Sequence, residues 1–274
     1  MVFVQDEDIV KVHIHTNNPG IAIESALKYG ELLNVKIDNM KEQHENKLIS
    51  EEDIVTKPYG FVAIASGDGL DEIFRDLGVE QVIVGGQTMN PSTEDIMAAI
   101  NRIYADNIFI LPNNSNIIMA ANQAKELSNK NIIVIPTKSV PQGISSLVGF
   151  TEDASPEENE QNMVEIISHV KTMELTYSVR DTNFDSKEIS KGDILGILDG
   201  EILVVEEELE KALLDTMEAA IDEDSEIIAI YYGEDVDQED AEKMKKSLEE
   251  KYDEIEFELY RGGQPLYYYL CSIE

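Results

Sequence analysis

The sequence predicts an α/β protein in which a doubly wound, mostly parallel sheet is followed by a smaller lobe of mixed α+β structure. Two observations predict this fold. Between residues 58 and 150, four apolar runs are each followed by a polar loop, and helix-like segments separate them. Further along the chain, Asp199-Gly200 stands between two apolar runs and suits the tight turn of an antiparallel hairpin.

The first 40 residues are predicted to form a small unit. Residues 10–15 alternate as a strand, residues 21–29 are typical of a short helix that ends at Gly30, and residues 32–37 resemble a second strand. Residues 41–57 contain few apolar side chains, and we interpret them as a linker.

The parallel lobe is assigned to residues 58–150. A helix begins after Ser92, whose hydroxyl can accept a backbone N–H bond, and Ile96, Ile100 and Ile103 lie on one face of it. Strand–helix–strand connections require parallel pairing, and the apolar runs suit strands that are covered on both faces. The predicted strands are residues 60–65, 81–84, 107–111 and 131–135.

The rest of the chain is predicted to be a connection and a second lobe. Residues 151–192 contain a connecting helix and strand, and Met163 and Ile167 lie on the buried side of that helix. Residues 193–274 form the α+β lobe, which starts with the hairpin at Asp199-Gly200. Its other predicted elements are helices at 206–221 and 237–251 and strands at 227–232, 255–260 and 266–273.

The charge limits the classes of partner. The 274 residues include 21 Lys and Arg against 56 Asp and Glu, a formal net charge of −35. Nucleic acids and anionic membranes are polyanions that such a surface repels, so we expect neither nucleic acid binding nor membrane insertion. A basic protein partner is compatible with this charge. The single cysteine, Cys271, and the lack of a membrane-length apolar run favour a cytoplasmic protein.

Common catalytic motifs do not occur in this sequence. There is neither a Gly-x-x-x-x-Gly-Lys phosphate loop nor a Gly-x-Ser-x-Gly nucleophile elbow. Gly67-Asp68-Gly69 follows a strand but lacks the later glycine of a dinucleotide fingerprint, so a turn and helix entry explains it better. Cys271 lies in an apolar run, which is typical of a buried thiol. No residue is therefore assigned a catalytic role.

His13 and His15 are the candidate metal ligands. Side chains two residues apart on a strand point to the same side, so both imidazoles can reach one zinc ion. The alternative is a solvated or hydrogen-bonded strand face, because zinc needs a third and usually a fourth ligand.

Polar loops follow the predicted parallel strands, whose carboxyl ends form the ligand-binding crevice of open α/β sheets. Amides and hydroxyls bind ligands by hydrogen bonds but do not by themselves supply an acid, a base or a nucleophile. The alternative is that these residues only cap helices and form turns. The crevice candidates are Gln87, Thr88, Asn90, Asn113, Asn114, Ser115, Thr137, Ser139 and Gln142.

Three consecutive tyrosines, Tyr267, Tyr268 and Tyr269, follow Arg261 and a Gly-Gly turn near the end of the sequence. On a strand they place rings on both faces of the sheet. Core packing with an exposed ring explains this pattern, and an aromatic surface for a protein partner is the alternative, because tyrosine is enriched at interfaces. Arg261 and the three tyrosines are therefore candidate partner contacts.

Five segments together resemble the FakA family of fatty acid kinase proteins, also called YloV-like or DhaL/DAK2 proteins. The resemblance extends over essentially the whole chain and rests on residues 12–16, 85–93, 111–117, 136–143 and 262–267. It implies that residues 1–40 are the end of a middle domain. It also implies that residues 58–274 form a C-terminal domain similar to the DegV-like fatty-acid-binding proteins called FakB.

The resemblance also implies a function. The chain is expected to dock a FakB-type protein that presents a bound fatty acid, while a kinase domain outside this sequence phosphorylates the acyl carboxylate with ATP and Mg. Zinc at His13 and His15 is implied for the full-length protein, with a cysteine ligand upstream, and a homodimer of that protein is a further expectation. The alternative is a stand-alone DegV-like lipid-binding protein.

Overall fold

The computed structural model describes residues 2–6, 9–13, 16, 18–32, 56–86, 89–184 and 187–274. The chain divides into two compact units, Met1–Ile54 and Val55–Glu274. Among the helices of the described ranges, none combines the length and the apolar content that a bilayer span requires.

The first unit contains an antiparallel strand pair and a short helix. Strand β1 (Val2–Asp6) pairs with β2 (Ile9–His13), so that Val2 lies opposite His13, and helix α1 spans Pro19–Ala26. The sequence predicted β2 but not β1. The predicted strand at 32–37 and most of the predicted linker at 41–57 lie outside the described residues.

The first sheet of the second unit is fully parallel. Its strands are ordered β4-β3-β5-β6, which confirms the doubly wound topology, because the chain winds outward in both directions from β3 and β5. The elements of this sheet are β3 (Lys57–Ala65), α2 (Asp68–Asp76), β4 (Gln81–Val84), α3 (Thr93–Arg102), β5 (Ala105–Leu111), α4 (Ser115–Leu127) and β6 (Asn131–Val134).

Two capping boxes fix helix starts in this unit. Ser92 Oγ accepts a bond from the Asp95 N–H, as the sequence predicted for α3, and the Ser92 N–H in turn donates to Asp95 Oδ2. Ser155 and Glu158 do the same for a helix at Pro156–His169, named α6 below. That helix lies within residues 151–192, which the sequence predicted to contain a connecting helix and strand.

The second sheet has six strands in the order β11-β10-β7-β14-β12-β13, and only β12 and β13 pair in parallel. Strand β7, which the sequence pattern assigns to a connecting segment, lies inside this sheet. The elements after the parallel sheet are α5 (Val140–Val148), α6 (Pro156–His169), β7 (Lys171–Tyr177), β8 (Thr182–Phe184), β9 (Lys187–Ile189), β10 (Ile194–Leu198), β11 (Glu201–Glu206), α7 (Leu209–Ala220), β12 (Ile227–Tyr232), α8 (Gln238–Lys251), β13 (Glu256–Arg261) and β14 (Tyr267–Ile273). Of these, β8 and β9 form a separate antiparallel pair.

Three buried clusters hold these layers together. Helices α3 and α4 cover one face of the parallel sheet, and α7 and α8 cover the outer face of the six-stranded sheet. The third cluster joins the two sheets: Phe61 and Phe109 of the parallel sheet share it with Tyr231 and Leu270 of the six-stranded sheet. Side chains of α2, α5 and α6 complete this shared core. The space between the sheets is thus filled by protein side chains.

Candidate functional site

Asn113 and Thr137 meet at the carboxyl edge of the parallel sheet, as the sequence predicted. The Asn113 N–H donates to Thr137 Oγ1 at 3.0 Å, and the Thr137 hydroxyl donates to Asn113 Oδ1 at 2.8 Å. Asn113 Nδ2 donates to the carbonyl of Ile64 at 2.9 Å. Both side chains are buried, and these bonds join the ends of β3, β5 and β6. Asn113 and Thr137 therefore stabilise the edge of the sheet.

Three further crevice candidates bind backbone groups at helix starts. Asn114 Oδ1 accepts from the Asn116 N–H at 2.9 Å, and Ser139 Oγ accepts from the Gln142 N–H at 3.3 Å. Gln142 Oε1 accepts from the Lys138 N–H at 2.9 Å. The helix-cap alternative accounts for these bonds.

Ser139 also links the two sheets, because its Oγ lies 2.7 Å from Thr172 Oγ1 on β7. Asn90 and Ser115 are exposed, and Gln87 and Thr88 lie outside the described residues. The structure therefore brings Asn113, Thr137 and Ser139 close to the sheet edge, but their polar groups are bound to other groups of the protein.

Arg261 connects the six-stranded sheet to helix α2. Its Nη1 lies 2.8 Å from Asp68 Oδ2, and its guanidinium holds the pKa of Asp68 below the usual value. The Leu70 N–H at the start of α2 donates to the carbonyl of Gly262 at 2.9 Å. A Cβ placed on Gly69 would lie 1.9 Å from the carbonyl oxygen of Arg261, so this contact requires glycine. The half-exposed Arg261 side chain thus contributes to the junction between the sheets.

The three tyrosines differ in exposure. Tyr269 is buried in the outer core against α7 and α8, which removes it from the candidates for a partner surface. Tyr267 and Tyr268 are partly buried, and the ring of Tyr268 lies 5.8 Å from that of Tyr177. The prediction of rings on both faces of a strand is correct, and the packing of the sheet decides which ring is covered.

An open groove lies beside these tyrosines on the six-stranded sheet. Its volume is about 390 Å³, and Glu174 of β7 contributes a carboxylate to it. We call this the Glu174 groove, and its lining residues are Glu174, Thr176, Tyr177, Val179, Ile197, Gly200, Leu266 and Tyr267.

Glu174 is a functional candidate that sequence reasoning missed. Burial raises the pKa of Glu174 to about 7, and the negative charge of Asp199 adds to the shift. Asp199 Oδ1 in turn accepts from the Thr172 N–H at 2.9 Å. The sequence does show a glutamate in the middle of the alternating run 171–177. That this glutamate is buried depends on β7 being an interior strand, which the sequence does not show.

A second open groove, of about 570 Å³, lies nearby and is strongly acidic. It includes Asp193, whose carbonyl accepts from the N–H of Ser178, the residue that precedes Val179 of the Glu174 groove. Its lysine, Lys211, is paired with Glu206 at 2.8 Å. The acidic groove is lined by Glu188, Asp193, Val205, Glu206, Glu207, Glu208 and Lys211.

The histidine pair lies outside the part of the chain whose side chains are described. His13 is the last residue of β2, and His15 is not among the described residues. Within the described ranges, no group of three or more His, Cys, Asp or Glu side chains is arranged to hold a metal ion. Zinc at His13 and His15 stays a prediction.

Cys271 is fully buried in β14, and burial raises the pKa of its thiol far above the usual value. The expectation of a buried thiol is confirmed.

The fold resembles that of solved fatty-acid-binding proteins of the DegV family. DegV, a fatty acid binding protein from Bacillus subtilis, matches with a TM-score of 0.55 and 15% identity over 80% of this chain and 99% of that chain. The Fak B3 protein of Streptococcus pneumoniae, loaded with linoleic acid, matches with a TM-score of 0.54 and 11% identity over 80% and 99%. At these identities the likeness shows a shared fold.

Sequence comparison gives the family. Residues 60–274 match the model of the FakA-like C-terminal domain of fatty acid kinase, and residues 1–47 match that of the FakA-like middle domain. Protein YloV of Bacillus subtilis (strain 168) is 48% identical over 282 residues, which cover 100% of this chain and 51% of that protein. The chain thus spans about half the length of the curated relatives it matches. It belongs to the FakA-like family of fatty acid kinase proteins.

Proposed function

We propose that this chain is the docking region of a fatty acid kinase subunit. It binds a FakB-type fatty-acid-binding protein and holds it in place. The kinase domain of the full-length protein then uses ATP and Mg to phosphorylate the carboxylate of the bound fatty acid. In this proposal the chain contributes recognition, and the phosphoryl transfer takes place elsewhere in the protein.

The match of residues 1–47 and 60–274 to the two family domains carries this proposal. The structure adds two supporting features. The six-stranded sheet presents the open Glu174 groove and the acidic groove, both of which a protein surface can contact. The formal net charge of −35 favours a partner with a basic surface, because opposite potentials accelerate encounter.

The test is a calorimetric titration of the 274-residue chain with a FakB-type protein that carries a bound fatty acid. We expect saturable binding and co-elution of the two proteins. The same fatty acid without its carrier protein is the matched control, and we expect no heat from it. Failure of the two proteins to bind or co-elute would contradict the proposal.

A competition assay checks the link to catalysis. Added in excess to the full-length kinase and its loaded partner, the isolated chain is expected to lower the rate of acyl phosphate formation, because it sequesters the partner. An unchanged rate would contradict docking through this region.

A stand-alone lipid-binding protein is the second candidate. The likeness to DegV-family folds favours it. The shared core between the sheets favours docking, because Phe61, Phe109, Tyr231 and Leu270 fill the space there. Mass spectrometry of organic extracts from the purified chain separates the two candidates: stoichiometric fatty acid supports lipid binding, and its absence supports docking.

A further inference from the structure

Glu174 occupies an unusual position for a charged residue. It lies opposite Ile197 of β10 and Leu270 of β14, inside a six-stranded sheet. Because side chains alternate along a strand, Glu174 lies on the same face of the sheet as Thr172 and Thr176, whereas Met173 and Leu175 lie on the opposite face, which α7 and α8 cover. Its side chain borders the Glu174 groove, which opens to solvent.

The carboxylate of Glu174 lacks a neutralising partner within the described part of the chain. The Lys and Arg ion pairs in the described ranges involve other carboxylates, and the charged group that acts on Glu174 is Asp199, which has the same sign. Burying a carboxylate without a cation beside it costs free energy, and a cation that enters the groove offsets this free energy. The raised pKa of Glu174 has this same cause.

The rest of the lining suits a long cationic side chain. Tyr177 and Tyr267 supply aromatic rings, which attract cations, and Val179, Ile197 and Leu266 supply apolar surface. Lysine and arginine combine an apolar stem with a charged end, so they match a groove that has apolar walls and a carboxylate.

We propose that the Glu174 groove receives a lysine or arginine side chain of the docked FakB-type protein, and that this side chain pairs with Glu174. The inference rests on the proposed function and names the contact by which docking is achieved. A protein source is favoured because a second, acidic groove lies on the same lobe, so that a partner with several basic side chains can contact both grooves.

The test compares two single substitutions that change the net charge equally. Glu174→Gln removes the carboxylate with little change of shape. Glu256→Gln is the matched control, because Glu256 is exposed on β13, at the far edge of the same sheet. Affinity for the loaded FakB-type protein is measured by titration at about pH 8, where Glu174 is largely ionised. We expect Glu174→Gln to weaken binding by about tenfold or more, and Glu256→Gln to weaken it by about twofold at most.

Equal affinities of the two variants would overturn the groove assignment and leave docking intact, whereas no binding by the unsubstituted chain would overturn both. Thermal unfolding checks that both variants fold. A charge swap then identifies the partner side chain: Glu174→Lys is expected to lose binding and to regain it with one Lys→Glu or Arg→Glu substitution on the partner. If no Lys→Glu or Arg→Glu substitution on the partner surface restores binding, the proposal is contradicted.

Discussion

Asn113 and Thr137 show what the sequence can predict about a single residue. Both follow predicted parallel strands, so their position at one sheet edge could be inferred. Their mutual hydrogen bonds could not, because these depend on β5 and β6 being adjacent in the sheet. The polar groups that were candidates for ligand contact are instead bound to each other and to Ile64.

Glu174 leads to a prediction about pH. Its pKa rises from 4.5 to about 7 in the folded chain, so between these values the folded state keeps a proton that the unfolded state has released. Folded stability therefore falls as pH rises through this window. Relative to the unsubstituted chain, Glu174→Gln is expected to gain up to about 3 kcal/mol in free energy of unfolding between about pH 4.5 and about pH 8. Urea unfolding of both proteins across this range measures the difference.

A difference in unfolding free energy that stays constant with pH would contradict the raised pKa. Glu256→Gln serves again as the control, because it makes the same chemical change at an exposed position of β13.

Among the secondary-structure elements, those defined by features within their own segment could be predicted, and those defined by pairing with distant segments could not. Helix α3 was predicted from its cap and its apolar face, both of which are local. Strand β7 was assigned to a connection, because nothing local to residues 171–177 shows that β10 and β14 pair with it on either side. For the same reason the sequence could not show that Tyr269 is covered while Tyr267 borders a groove.

Helix α2 gives a prediction about the junction between the sheets. Gly69→Ala is expected to lower the free energy of unfolding by about 1–3 kcal/mol, because the added Cβ would lie 1.9 Å from the carbonyl oxygen of Arg261. Gly86→Ala is the matched control, since a Cβ there meets no atom of the described residues within 4 Å. Urea unfolding measures both, and equal stabilities would show that α2 shifts without cost.

For the whole molecule, charge gives the final prediction. With a net charge of −35, association with a basic partner is expected to slow by roughly tenfold or more as ionic strength rises from about 0.05 to about 0.5 M, because salt screens long-range attraction. The dissociation rate is expected to change much less. Stopped-flow or surface-based kinetics measure both rates, and an association rate independent of salt would exclude electrostatic steering.

The fold class was predictable because apolar periodicity and turn residues determine it, and both are visible in the sequence. The way the two sheets share a core was not predictable, because it depends on which strand faces meet after folding. Phe61 and Leu270, which are far apart in the sequence, belong to the same cluster.

This shared core has a mechanical consequence. Separating the two sheets would expose Phe109, Tyr231 and their neighbours to water, which would cost a large amount of free energy. The second unit is therefore expected to behave as one rigid body, in which the two sheets keep a fixed position relative to each other.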